Sequence, residues 1–130
     1  MTSVLPFLMF EGRADEAMRF YTETIPSGEV LEVERYGPAG PGPEGSVLRA
    51  TFRVGDQVVM CTDSFVKHGF TFTPSFSFFV DCASDAELER LFAALSEGGG
   101  VLMPPGDYGF SRRFAWVSDR FGVSWQINLP

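Results

Sequence analysis

The sequence holds one histidine, His68, the residue type suited to proton transfer near neutral pH, and it stands in a Lys67-His68-Gly69 stretch between two apolar segments. It reads either as a solvated linker residue or as a general base reaching over a neighbouring cavity. With a single imidazole in a linker the serines have no evident base, so no Ser-His-acid nucleophile is legible. The arginines are more suggestive. Arg49 falls inside an apolar strand, Arg53 sits nearer its turn, and Arg112-Arg113 lead into another strand. An arginine among Phe7, Met60, Phe79, Phe114 and Trp116 needs an anionic partner, because an unpaired charge in an apolar cleft is costly. That partner is either a ligand carboxylate or phosphate, or an internal carboxylate such as Glu32 or Glu34. Asp119-Arg120 reads as a charge pair or, more plainly, as a turn-forming Asp. Glu11, Asp15 and Glu16 suit the N-terminal dipole of the first helix. Cys61 and Cys82 lie within or at the end of apolar strands and read as reduced core thiols.

The elements that must position these residues occur twice. Phe20 and Phe92, Gly28 and Gly100, Tyr36 and Tyr108, and Gly37 and Gly109 are separated by one and the same interval. Around these anchors each half runs strand, amphipathic helix, Gly, strand, Tyr-Gly stop, then two more strands. A duplicated βαβββ unit is expected, within an α+β fold whose two modules form a curved mixed sheet with a concave cup. The modules are expected at 1–62 and 75–130, joined by a linker over 63–74, in a single domain spanning 1–130. Strands are predicted at Val4–Phe10, Glu29–Tyr36, Val47–Val54, Gln57–Thr62, Ser75–Val80, Val101–Met103, Arg113–Val117 and Val123–Leu129. Helices are predicted from Arg13 to Thr24, stopped by Ile25-Pro26, and from the capping box Ser84-Asp85-Ala86-Glu87 to the Gly98-Gly99-Gly100 run. Leu88, Leu91, Phe92 and Leu95 give that second helix its i, i+3, i+4, i+7 stripe. Residues 37–45, rich in Gly and Pro, read as a mobile loop.

Alternation assigns faces. The tight turn Gly55-Asp56 pairs Val54 with Gln57, placing Arg49, Thr51 and Arg53 with Val58, Met60 and Thr62 on the cup side. Leu48, Ala50, Phe52, Val59 and Cys61 then face the helices. Ser75, Ser77 and Phe79 on strand 5, Ser124, Gln126 and Asn128 on strand 8, and Leu5, Phe7 and Met9 on strand 1 face the cup. Phe114 and Trp116 join them if Trp116 stands opposite Ser124.

Composition excludes several functions. Ten Lys and Arg against 17 Asp and Glu give a net charge of −7, which opposes nucleic acid and anionic membranes. No apolar run is long enough to span a bilayer, and the N-terminus lacks a basic n-region with a cleavage site, so a cytoplasmic protein is expected. With 45% hydrophobic residues, 14 of them Phe, the chain needs no disulfide to build a core.

The stretches FLMFEGRADEAMRFY, FFVDCASDAELERLFAALSEGG and WVSDRFGVSWQINL resemble the PhnB-like branch of the vicinal oxygen chelate superfamily, the glyoxalase/bleomycin-resistance/dihydroxybiphenyl-dioxygenase fold. Members of this branch are often called 3-demethylubiquinone-9 3-methyltransferases. The resemblance implies paired βαβββ modules and a homodimer. In the superfamily's metalloenzymes, two His and two Glu from strands 1, 4, 5 and 8 hold a metal. Here strand 4 offers Met60 and strand 8 offers Gln126, and neither Val4–Phe10 nor Ser75–Val80 contains His, Cys, Asp or Glu. A thioether and an amide make a poor site for a divalent ion, so no metal and no cofactor are expected. Methyl transfer from S-adenosylmethionine commonly uses a Gly-rich strand-to-helix turn in an open parallel sheet, which this chain lacks.

The sequence therefore supports a metal-independent binding module for a small aromatic or anionic molecule, lined by Phe7, Arg49, Met60, Ser75, Ser77, Phe79, Phe114, Trp116, Gln126 and Asn128. The alternatives are an enzyme of the PhnB-like, 3-demethylubiquinone methyltransferase-like family using Arg49 with His68 or Tyr36, a divergent metal-dependent lyase or dioxygenase, or a cup simply filled by its own side chains.

Overall fold

Residues 1–130 are described throughout by the computed structural model, and they divide into two compact units, Met1–His68 and Gly69–Pro130. The first unit contains β1 (Phe7–Phe10), α1 (Ala14–Thr24), β2 (Glu29–Arg35), β3 (Val47–Val54) and β4 (Gln57–Asp63). Its sheet has the order β1-β4-β3-β2, with β1 parallel to β4 and the other neighbours antiparallel. The second unit repeats the plan with β5 (Ser77–Asp81), α2 (Asp85–Ser96), β6 (Gly100–Gly106), β7 (Arg113–Ser118) and β8 (Ser124–Leu129), in the order β5-β8-β7-β6. The duplicated α+β architecture is thus present, its strands hydrogen-bonded as two four-stranded mixed sheets, one per unit.

Each helix packs on one face of its own sheet and is fastened at its start. In α2 the capping box operates with a small shift. Ser84 Oγ accepts from Glu87 N at 3.2 Å, while the Glu87 carboxylate reaches back to Ala83 N at 2.9 Å, one residue before the cap. In α1 the N-cap residue Arg13 supplies no side-chain cap. That role falls to Asp63 at the end of β4, whose Oδ1 accepts from both Gly12 N and Ala14 N at 2.9 Å. Asp63 is therefore a buried strand residue and not the start of a linker. The helix stops as expected before Pro26, with Ile25 N donating to Tyr21 O at 3.0 Å.

The first core gathers Leu8, Phe10, Ala14, Met18, Tyr21, Phe52, Val59 and Cys61; the second is built from Leu88, Leu91, Leu95, Val117, Trp125, Ile127 and Leu129. Phe78 joins the latter, its ring centroid 4.8 Å from that of Trp125. On β3 one predicted core position fails. The β2–β3 register slips between Glu34 and Arg35, so Val47 pairs with Arg35 and is fully buried while Leu48 is pushed outward. A bulge of this kind adds one residue to one strand and inverts the alternation beyond it.

The Gly/Pro segment after β2 is also more ordered than its composition suggests. Tyr36 N donates to Ser46 O at 3.0 Å and Gly45 N to Tyr36 O at 2.9 Å, closing the loop like a hairpin. The loop folds against the Tyr36 ring so closely that a Cβ on Gly42 would lie 2.8 Å from it. In the second unit β6 runs on through Pro104-Pro105, which is possible because it is an edge strand whose missing N–H groups break no internal ladder.

Candidate functional site

With a helix on one face of each sheet, the other face is left open, and the ladder registers fix which side chains stand there. In the first unit Phe7, Met60, Thr51 and Glu32 form one rung across β1, β4, β3 and β2. Phe7 is 58% exposed. Arg49 and Arg53 share this face, and each meets a carboxylate across the strand pair: Arg53 lies 2.6 Å from Glu29, and Arg49 lies 3.7 Å from Glu34. Of the two partners anticipated for Arg49, the internal one is in place. Both members of the Arg49–Glu34 pair are well exposed, so the contact stabilises little.

The open face of the second unit carries three rungs across β5, β8 and β7. They are Asp81–Asn128–Phe114, Phe79–Gln126–Trp116 and Ser77–Ser124–Ser118. Trp116 stands opposite Gln126 and not Ser124 as expected. The difference is two residues, which leaves the face unchanged because side chains alternate with period two. Its indole Nε1 still reaches diagonally to donate to Ser124 Oγ at 2.8 Å. Ser124 Oγ also contacts Ser77 Oγ at 2.6 Å, and Gln126 Nε2 donates to Ser77 Oγ at 3.3 Å. On the outer rung, Asn128 Nδ2 donates to Asp81 Oδ1 at 2.9 Å, while Asn128 Oδ1 is buried without a donor.

Six of the anticipated residues, Ser77, Phe79, Phe114, Trp116, Gln126 and Asn128, are thus gathered on one face of the second unit, and Phe7, Met60 and Arg49 on one face of the first. Ser75 is not among them. The strand starts two residues later than predicted, leaving Ser75 in the preceding turn with its hydroxyl 2.6 Å from Thr73 Oγ1. Three residues were missed. Tyr108 and Phe110, in the loop between β6 and β7, close over Phe114 at centroid distances of 6.1 and 4.9 Å, and Phe114 is buried on this face as Ser124 and Asn128 are. Asp81 extends β5 one residue beyond its predicted end and gives that strand the carboxylate it was expected to lack. The Tyr-Gly repeat marked Tyr108, but as a stop signal and not as a wall.

The remaining candidates have structural work. Ser64 Oγ lies 2.9 Å from His68 Nε2, but the same hydroxyl bonds the carbonyl of Val66 at 2.9 Å and receives Val66 N at 3.1 Å, the pattern of a local turn. Asp119 is buried and accepts from Phe121 N, Val123 N and the indole of Trp125 at 2.8, 3.0 and 2.8 Å, so it shapes the β7–β8 turn. Arg113 is held by Asp85 and Glu89 of α2 on the helix side. Burial pushes the Cys61 thiol up to about 12 and that of Cys82 up to about 11, far from a reactive thiolate.

The four positions that the resemblance pointed to as metal ligands hold side chains that do not suit a divalent ion. Met60 and Gln126 stand on β4 and β8, their rung neighbours on β1 and β5 are Phe7 and Phe79, and no three His, Cys, Asp or Glu side chains gather anywhere in the chain. A nucleotide-like methyl donor fares no better. The helix N-termini are already closed by Asp63 and by Ser84 with Glu87, and the Gly98-Gly99-Gly100 run follows a helix and leads into β6.

The sequence profile of the 3-demethylubiquinone-9 3-methyltransferase family matches residues 2–128. The chain belongs to this family. The PhnB protein of Bacillus cereus is 46% identical, with 99% of this chain and 100% of that one superposing at a TM-score of 0.94. Protein PA1353 of Pseudomonas aeruginosa is 31% identical over 99% of this chain and 98% of that one, with a TM-score of 0.81. A glyoxylase/bleomycin resistance protein/dioxygenase domain from Frankia, 16% identical over 99% and 98% of the two chains, shares the fold at a TM-score of 0.65. The chain thus has the fold of that domain, built here from two βαβββ modules.

Proposed function

We propose that this PhnB-like protein is a metal-independent binding module for a small organic molecule with an aromatic body. The observation that carries the reading is the open face of the second unit. There Phe79 and Trp116 flank Gln126 on one rung, with the polar side chains of Ser77, Ser124 and Asn128 on the rungs either side. Aromatic area with a few placed polar groups is the usual make-up of a small-molecule site. Met60 and Gln126 in place of carboxylate or imidazole ligands support action without a metal. The test is the metal content of purified protein, followed by thermal shift with and without divalent ions. Sub-stoichiometric metal and an unchanged melting temperature are expected; stoichiometric, stabilising metal refutes the reading.

We also propose that the protein works as a homodimer. Each sheet ends in edge strands with unpaired backbone groups, and β2 additionally exposes Val30, Leu31 and Val33. Sedimentation giving a 14.4 kDa species at micromolar concentration would remove this proposal.

A further inference from the structure

We propose that the open face formed by β5, β8 and β7 selects organic cations, specifically an ammonium group carried on an aromatic body. This rests on the binding reading above and narrows its ligand class. Asp81 and Phe114 flank Asn128 on one rung, so their Cα atoms are about 10 Å apart, two strand spacings. Phe79 is two residues from Asp81 on the same side of β5, and its ring lies 6.4 Å from that of Phe114 at 34°. A positive nitrogen placed beside Asp81 would have the carboxylate on one side and the exposed Phe79 ring on the other, the two groups that attract a cation at a protein surface.

Three further observations favour this charge. Asp81 makes no ion pair, its one side-chain bond being that from the Asn128 amide. No Lys or Arg occupies an open-face position of β5, β7 or β8; the one arginine in those strands, Arg113, is on the helix side. The Asn128 amide uses its NH₂ on Asp81 and leaves its buried oxygen without a donor on the same rung, a polar group whose partner is missing. An anion at this place would meet Asp81 and find no compensating charge.

The experiment is titration of the full chain with four probes, followed by the fluorescence of Trp116 on the adjacent rung and by calorimetry. The probes are 2-phenylethylammonium, benzyltrimethylammonium, neutral 2-phenylethanol and 3-phenylpropionate. Both cations are expected to bind about tenfold or more tightly than the alcohol, and the anion most weakly. Asp81→Asn should erase that preference while leaving the alcohol's affinity unchanged, and Phe79→Leu should weaken the cations several-fold. Equal binding of cation and alcohol by the wild-type chain overturns the proposal, whatever the variants do. Tighter binding of the alcohol or the propionate overturns it while leaving the binding module standing. Failure of all four probes overturns both.

Discussion

Replacing Asp63 tests whether a strand residue caps a helix far away in sequence. The two backbone donors it receives differ in burial: the bond to Ala14 N is buried, that to Gly12 N partly so. Asp63→Ala leaves both without an acceptor. A buried orphan donor costs about 1–3 kcal/mol and a half-hydrated one less, so the sum is about 2–4 kcal/mol. Release of the carboxylate from its buried position offsets part of this, which puts the expectation near 3 kcal/mol. Asp63→Asn keeps an oxygen for the two donors and loses only the favourable charge at the start of α1, about 0.3–1 kcal/mol. In urea unfolding followed at 222 nm, both variants should keep the wild-type slope and shift the midpoint. Thermally, with roughly 3–5 °C per kcal/mol for a chain of this size, the alanine variant should melt about 10 °C lower and the asparagine variant only a few degrees lower. An alanine variant within about 0.5 kcal/mol of wild type, or two variants of equal stability, would refute the capping argument.

The ion pair between Asp15 on α1 and Arg35 on β2 is bidentate, at 2.8 and 2.9 Å, and the Arg35 hydrogen bonds hold the Asp15 carboxyl below its ordinary range. Its contribution is therefore present above about pH 4 and lost as pH falls through the lowered folded value. Because both side chains are about half exposed, Arg35→Gln should cost less than about 1 kcal/mol and the cost should vanish in high salt; a larger, salt-independent loss would contradict it. The two cysteines, raised by burial to about 12 and about 11, should resist a disulfide-exchange reagent at pH 8 in native protein and both react after unfolding. Rapid labelling of either in the native state would show that the cores open.

The repeat made the fold legible, since each half had to satisfy the same succession of strand, helix and strands, and an error in one half showed against the other. What escaped the sequence has a common physical origin in departures from local periodicity. Asp63 looked like a linker residue because its partners, Gly12 and Ala14, are remote in the chain and leave no local mark. Leu48 looked buried because alternation was carried through a bulge that only the partner strand reveals. Ser75 was assigned by extending a strand backward through a segment that turns. Trp116 escaped the same fate because its register differed by two and not by one. Tyr108 and Phe110 belong to a loop, where neither period nor propensity indicates which face a side chain will cover.

The two copies of the module agree at one open-face position and differ beside it. Phe7 and Phe79 occupy the same place in β1 and β5, and they are exposed to nearly the same degree, 58% and 57%. Burying a phenylalanine stabilises by about 1.5–3 kcal/mol, and a large ring left in water in both copies forgoes that gain twice. Across the rung, however, Phe7 meets Met60 whereas Phe79 meets Gln126. Next to the first pair the charges are mutually satisfied, Arg49 with Glu34 and Arg53 with Glu29. Next to the second lie an Asp without a cation and an amide oxygen without a donor. The shared phenylalanine therefore accounts for apolar contact that either unit can make, and the proposed ligand selection rests on the unsatisfied polar groups of the second unit alone. Phe7→Leu should then leave the cation preference of the chain intact, whereas Phe79→Leu should not.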